Sequence, residues 1–366
     1  MNTGLKILII ALLISVLGIS SIYSSNYRKE DQFWQSIYQR QILWVLLGLI
    51  VFQLISNFHY RRIWDWTYFL YALMVLLLLL VFILGIARLG AQRWLKFAWF
   101  NFQPSEVAKL IMVIFLSKYF SQKSPEDVSL TANKFGVLRA LFLPFFFVAI
   151  PIGLVVEQPD LGSAAIIFFI FFATLYMSNV RFKYILIFLL IVVLFLPFSW
   201  NLLRDYQKER IMVFLNPNVD PLGAGYTVIQ SKIAIGSGGF FGKGWLSGTQ
   251  SQLHFLPESH TDFIFATFTE EWGFFGGILL IYLYYLLIKQ GILIAEKTSD
   301  HFGKLLSLGI SLMLCFQISV NIAMNLGLAP IVGLPLPLMS YGGSSVIVTF
   351  AALGILVNIN KTRAVF

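Results

Sequence analysis

Ten nearly uninterrupted apolar blocks recur along the chain, at about residues 5–22, 42–55, 66–86, 104–120, 140–156, 161–177, 184–200, 263–287, 305–324 and 340–359. Each approaches the length needed to cross the hydrocarbon core of a bilayer. No water reaches the backbone N–H and C=O groups there, so each block is expected to be a helix that closes its own hydrogen bonds. Composition points the same way. Hydrophobic residues are 58% of the chain and charged ones 12%, against roughly 45–50% and 25% in soluble domains. No polar stretch is long enough to build a separate core. The expected fold is therefore an all-α polytopic membrane protein, one domain over residues 1–366 with about ten transmembrane helices. No small-residue cleavage site follows the first block, which reads as an uncleaved anchor and not as a signal peptide. No internal repeat of the transporter type is evident.

Lys and Arg orient the spans, because cytoplasmic loops collect them. With both termini inside, fourteen of the 26 Lys and Arg residues fall on the cytoplasmic side and six in short outer loops. Five more lie in one long loop, about residues 201–262, and Lys109 lies within a helix. Long loops count weakly in this rule, so both termini are expected in the cytoplasm and the long loop outside. A connection of that length points to function. Within it, residues 226–235 read as a short amphipathic helix lying on the membrane, and the glycines of 236–239 should end it.

Several functions are excluded early. The single Cys315 allows no disulfide within one chain, and the four histidines are scattered, so no Cys/His metal cluster is expected. The formal charge of +9 suits an anionic partner, either lipid headgroups or a phosphorylated substrate. No nucleic-acid partner is expected.

The candidate chemistry gathers at the end of the long loop. In Pro257-Glu-Ser-His-Thr-Asp262, followed at once by apolar residues, Asp262 stands where polar loop meets apolar helix. Partial desolvation there favours a general base; an N-cap of the next helix, by Thr261 or Asp262, is an equally ordinary use of those side chains. Glu258 and His260 are the other proton-handling candidates. The loop cations, among them Arg210, Lys232 and Lys243, can bind phosphate together with glycine amides near 236–244. They can equally snorkel to headgroups while the glycines merely turn the chain.

A second set of ionisable residues lies within the apolar blocks. Glu106 and Lys109 share a helix face, and Asp160 opens another helix. An internal ion pair between Lys109 and either Glu106 or Asp160 is expected, although Glu106, just after Pro104 and Ser105, also suits a helix N-terminus. Glu270 and Glu271 have no helix end nearby, so they are expected to pair or to line a cavity. Finally, Gly333-Leu-Pro-Leu-Pro337 and Ser340-Tyr-Gly-Gly-Ser344 form a rigid turn running into a helix start rich in small residues. Such a break suits backbone that lines a cavity or packs closely.

Read together, these strings resemble the SEDS family (shape, elongation, division and sporulation). They are Gln103-Pro-Ser-Glu-Val-Ala-Lys109, Gln158-Pro-Asp-Leu-Gly162, Leu215-Asn-Pro-Asn-Val-Asp-Pro-Leu-Gly-Ala-Gly-Tyr226 and Gln230-Ser-Lys-Ile-Ala-Ile-Gly-Ser-Gly-Gly239. Phe255-Leu-Pro-Glu-Ser-His-Thr-Asp-Phe-Ile-Phe265 and the Gly333 and Ser340 strings complete them. Gly242-Lys-Gly-Trp245 and Gly248-Thr-Gln250 resemble the rod-shape, elongation branch more than the division branch. The resemblance covers nearly the whole chain.

It implies a peptidoglycan glycosyltransferase of the bacterial cytoplasmic membrane that polymerises lipid II into glycan strands, with undecaprenyl pyrophosphate as leaving group. The implied partners are a class B penicillin-binding protein, the nascent strand, membrane lipids and other proteins of the elongation complex. The family's essential loop acid aligns with Asp262, and its polar transmembrane residues with Glu106, Lys109 and Asp160. No cofactor is implied with certainty, and a divalent cation stays open. Buried charges in ten helices also describe a transporter; a lipid II flippase would use Glu106, Lys109, Asp160, Glu270 and Glu271 as its path. A scaffold for the penicillin-binding protein is the third reading.

Overall fold

Each apolar block is a helix. The computed structural model describes residues 2–27, 37–88, 91–97, 100–122, 141–178, 180, 182–199, 201, 203–221, 223–253 and 255–362. Of the cations used to orient the chain, Arg28, Lys29, Lys123, Lys134, Arg139, Arg181 and Arg363 lie outside the described residues, as does His254. In chain order the first elements are α1 (Thr3–Asn26), α2 (Ile37–Asn57), α3 (Arg61–Leu84), a sheet of β1 (Gly85–Arg88), β2 (Ala91–Phe97) and β3 (Phe100–Phe102), then α4 (Pro104–Ser121), α5 (Leu143–Glu157), α6 (Leu161–Met177) and α7 (Phe182–Ser199). The long loop follows as α8 (Asp205–Leu215), a 3-10 turn (Pro217–Val219), α9 (Ala224–Gly238) and α10 (Thr249–Gln252). The last helices are α11 (Ile264–Glu296), α12 (His301–Asn325) and α13 (Gly343–Thr362).

By length and composition, α1, α2, α3, α11, α12 and α13 can each cross a membrane, and α5, α6 and α7 are shorter apolar helices. The helix α4 completes the set of ten but carries Glu106, Lys109 and Lys118. The chain is a multi-pass membrane protein. The antiparallel sheet, in order β1-β2-β3, is a departure from the all-helical expectation. It pairs Gly85 with Leu95 and Leu95 with Phe102.

Two compact units make up the chain. One comprises Met1–Leu49, Phe198–Leu287 and Gln317–Thr349, and the other Ile50–Pro197, Ile288–Phe316 and Phe350–Phe366. The first unit contains the long loop. Its helix α9 begins two residues before the expected segment and ends at Gly238, with Gly239 at φ 55 as its C-cap. Val228, Ser231 and Ala234 form its buried stripe. Ala234 packs in a cluster with Leu256, Phe263 and Ala266, flanked by Ile235 and Ile331.

The first unit turns on a break in α11. Gly273 has φ 67 and ψ −165 inside what is otherwise one helix. Such a break leaves backbone donors and acceptors without helical partners, and apolar surroundings cannot satisfy them. The glycine-rich segment after α9 does so. Phe274 N donates to Gly239 O (2.9 Å) and Phe275 N to Phe240 O (3.2 Å). In return, Lys243 N and Gly244 N donate to the carbonyls of Glu270 and Glu271, both at 3.0 Å. Only glycine permits this approach. A Cβ on Gly273 would overlap the backbone of Phe240 and Gly242, and one on Gly242 would overlap that of Glu271 and Gly273. The same amides cannot also cradle a phosphate.

Gly273→Ala should therefore be severe. A positive φ in a residue with a Cβ costs about 1–3 kcal/mol before any clash. We expect a clear fall in apparent melting temperature and in monodisperse yield on size exclusion. Gly236→Ala, with no atom near the added carbon, should melt no lower than the parent, because alanine favours the helix by about 1 kcal/mol.

Candidate active site

Asp262 lies two residues before Ile264, the start of α11, and is partly exposed. Its main chain is held more firmly than a loop of this kind requires. Three consecutive carbonyls are each taken by a residue far along the chain. Tyr341 N donates to His260 O at 2.9 Å. Ser340 Oγ donates to Thr261 O at 2.6 Å. Asn321 Nδ2 and Asn325 Nδ2 both donate to Asp262 O, each at 3.0 Å. The turn thus hangs on the last turns of α12 and the segment leading into α13.

The helix start is capped from outside. Asn325 Oδ1 accepts from Ala266 N at 3.1 Å. The Thr261 hydroxyl is directed to Glu258, donating to its Oε2 at 3.0 Å. Of the two residues expected to compete for the cap, Thr261 is thus engaged elsewhere. Glu258 is exposed and adopts φ 49. His260 is 8% exposed, with its ring 6.0 Å from that of Tyr341.

Two of the expected cations meet at one short segment. A cavity of about 200 Å³ is lined by Arg210, Val213 and Phe214 of α8, Thr227 and Val228 of α9, and residues 327 and 329–331. Arg210 is its one charged wall. The ammonium of Lys232 lies against Gly327, close enough that a Cβ there would sit 2.6 Å from Nζ. Gly327 follows Asn325 by two residues, so the segment after α12 adjoins Arg210, Lys232 and the Asp262 turn. An apolar cavity with guanidinium and ammonium groups at its edge suits a phosphorylated lipid head.

Lys243 sits elsewhere. Its Nζ bonds Glu270 Oε1 at 2.8 Å and Thr249 Oγ1 at 2.8 Å. Glu270, fully buried, also accepts from Thr249 N (2.8 Å) and Gln250 N (3.1 Å), the first amides of α10. A carboxylate inside an apolar span is thus matched by one cation and a helix N-terminus. Glu271 accepts a short hydrogen bond from Ser24 Oγ of α1. Glu270 is thereby ion-paired, whereas Glu271 accepts at one oxygen and its buried Oε2 has no hydrogen-bond partner among the described residues.

In the second unit, Lys109 Nζ bonds Glu106 Oε1 at 2.7 Å, and both residues are buried. Of the two partners considered for Lys109, Glu106 makes the ion pair, and it stands in the first turn of α4 behind Pro104. Asp160 caps α6 by accepting from Ser163 N at 3.1 Å. It also accepts from Ser105 Oγ (2.7 Å) and Gln103 Nε2 (3.1 Å). Arg93 of β2 donates to the carbonyls of Gln158 and Pro159 next to it. Among the described residues no group of three or more His, Cys, Asp and Glu side chains is placed to hold a metal ion.

Asn321 and Asn325 were not candidates from sequence, and Ser231 and Ser340 stood only within the longer strings quoted above. Asparagines inside an apolar block are the signal that could have pointed to Asn321 and Asn325, since a buried amide requires partners.

The family model for FTSW_RODA_SPOVE, described as cell cycle protein, matches residues 5–364. The peptidoglycan glycosyltransferase MrdB of Escherichia coli (strain K12) is 41% identical over 327 residues, covering 89% of this chain and 86% of MrdB. Among solved structures, a chain of a peptidoglycan synthase complex, described for its structural coordination of polymerization and crosslinking, is 33% identical. It superposes with a TM-score of 0.81 over 98% of this chain and 97% of that one. The Thermus thermophilus rod shape determining protein RodA is 28% identical, with a TM-score of 0.71 over 98% and 96%.

Removing one partner of a buried ion pair leaves an uncompensated charge, at a cost of roughly 3–5 kcal/mol, whereas removing both is often neutral. Lys109→Met alone should therefore reduce folded yield and melting temperature sharply. The Glu106→Gln/Lys109→Met double variant should recover most of the loss in the same melting assay.

Proposed function

Because this chain belongs to the FtsW/RodA/SpoVE family of cell cycle proteins, we propose that it is a peptidoglycan glycosyltransferase that polymerises lipid II during cell elongation. Its likeness to a protein named peptidoglycan glycosyltransferase MrdB supports the activity, and its likeness to a rod shape determining protein supports the role in elongation. The observation that carries the reading is the Asp262 turn. A carboxylate is anchored by three successive main-chain carbonyls at the first turn of a membrane-spanning helix. Lipid-anchored sugars lie at that level.

In the reaction, the 4-hydroxyl of the GlcNAc of lipid II attacks the anomeric carbon of the strand's terminal MurNAc. Asp262 removes the hydroxyl proton as the new C–O bond forms. The bond to undecaprenyl pyrophosphate breaks, and its electron pair leaves on the pyrophosphate. A sugar hydroxyl is a weak nucleophile at neutral pH, and a positioned base contributes about 10²–10⁴-fold. Charge grows on the pyrophosphate as the bond opens, and Arg210 and Lys232 stabilise it. Lys243, held by Glu270, braces the loop instead. A single displacement inverts the donor carbon, taking an α-linked donor to a β-linked strand.

The partner is a class B penicillin-binding protein, since a structural relative stands in a complex that couples polymerisation to crosslinking. The Lys and Arg distribution supports a topology with both termini cytoplasmic and the long loop outside, and the family supports the bacterial cytoplasmic membrane as its location.

Asp262→Asn should fold, bind the transpeptidase and make no glycan polymer from lipid II in detergent, a fall of at least about 10²-fold. Near-normal polymer from that variant would remove the base. If the parent itself makes no polymer with its partner present, yet moves lipid II across vesicle membranes, the flippase reading replaces this one. If it does neither, the scaffold reading does.

A further inference from the structure

Asn325 ends α12 with no exposed surface and, besides an Nδ2 bond to Asn321 O within that helix (2.8 Å), three attachments outside it. Its side-chain Nδ2 donates to Asp262 O at 3.0 Å. Its Oδ1 accepts from Ala266 N at 3.1 Å. Its main-chain carbonyl accepts from Ser231 Oγ at 2.8 Å. The first two bonds grip the turn on either side of Phe263. The third reaches α9 at the residue before Lys232, whose ammonium lies against Gly327, two residues beyond Asn325. A single residue thereby touches the mount of Asp262 and the helix that carries Lys232.

We infer that Asn325 is a positioning residue that fixes Asp262 and Lys232 on one frame, and so sets the spacing between the base and the leaving-group cation. The inference rests on the reading of Asp262 as base. The chemistry requires an amide at this position. The side chain must donate to a carbonyl and accept from an amide at once, which neither an ionised aspartate nor leucine can do. Asn321, one turn earlier, shares only half of the task. It donates to Asp262 O at 3.0 Å and to Leu334 O at 2.6 Å, and so ties the turn to the Gly333–Pro337 segment. The carbonyl of Asp262 is one bond from the Cα that carries its side chain, so a shift there moves the carboxylate with it. A displacement of about 1 Å at a reacting group can reduce rate by about 10²-fold.

The test uses the full-length protein with its transpeptidase, in detergent, with lipid II titrated to saturation. Asn325→Asp keeps the shape and the acceptor for Ala266 N but removes the donor. It buries an ionisable group and should melt below the parent, with kcat per folded molecule reduced at least about tenfold and KM changed by less than about twofold, since transition-state alignment and not ground-state binding is lost. Ser231→Ala removes only the tie toward Lys232. It should raise KM by about three- to tenfold at nearly constant kcat, as expected for weaker binding of the phosphorylated head. A parental kcat in Asn325→Asp while Asp262→Asn is inactive overturns the inference alone. So does a loss of folded yield in Asn325→Asp with unchanged kcat per folded molecule, which is the signature of packing only. If Asn325→Asp does not fold, an unchanged KM in Ser231→Ala overturns it. Activity in Asp262→Asn removes the base, and the positioning role falls with it.

Discussion

A backbone polar group in an apolar medium must find a partner, and the break in α11 is where that requirement shapes this protein most. At Gly273 the helix stops obeying its own ladder. Two carbonyls before the break and two amides after it are then satisfied by one short glycine-rich segment. The exchange is reciprocal, so neither side can move without stranding the other. It fixes the long loop to a membrane-spanning helix by main chain, which no rotamer change can release. Glu270 adds a side-chain layer to the same joint by holding Lys243 and the first amides of α10.

Charge burial is solved in three ways, each by the nearest available chemistry. Glu106 and Lys109 neutralise each other across one helical turn. Glu270 borrows a cation and a helix N-terminus from the loop. Asp160 serves as an N-cap and gathers two further polar side chains from the start of α4. All three carboxylates are matched within their own unit. That favours structural duty over the moving charges of a translocation path. Asp262 differs in kind: Asn321 and Asn325 hold its main-chain carbonyl, and the residue itself is partly exposed just before the span.

The ten helices were legible because lipid leaves the backbone one economical choice, and an apolar run of spanning length announces it. Helix α9 was legible from periodicity and from the glycines that end it, to within three residues. The sheet was not, because its strands are short, lie between spans, and the longest of them lacks a period-two alternation. The resemblance to a family supplied Asp262 as the first residue to test, whereas position alone divided it between base and cap.

Sequence by itself determined the membrane class and the set of apolar spans. These follow from local composition, which acts through hydration and needs no fold. Tertiary structure alone decided which charges meet. Lys243 is 27 residues from Glu270 in the chain and was grouped with Arg210 and Lys232 by charge, yet it braces the loop. Ser340 and Asn325 are 79 and 63 residues from the carbonyls they hold, and nothing local says which carbonyls those are. Hydrogen bonds act over about 3 Å, so only the folded chain can bring such residues within range.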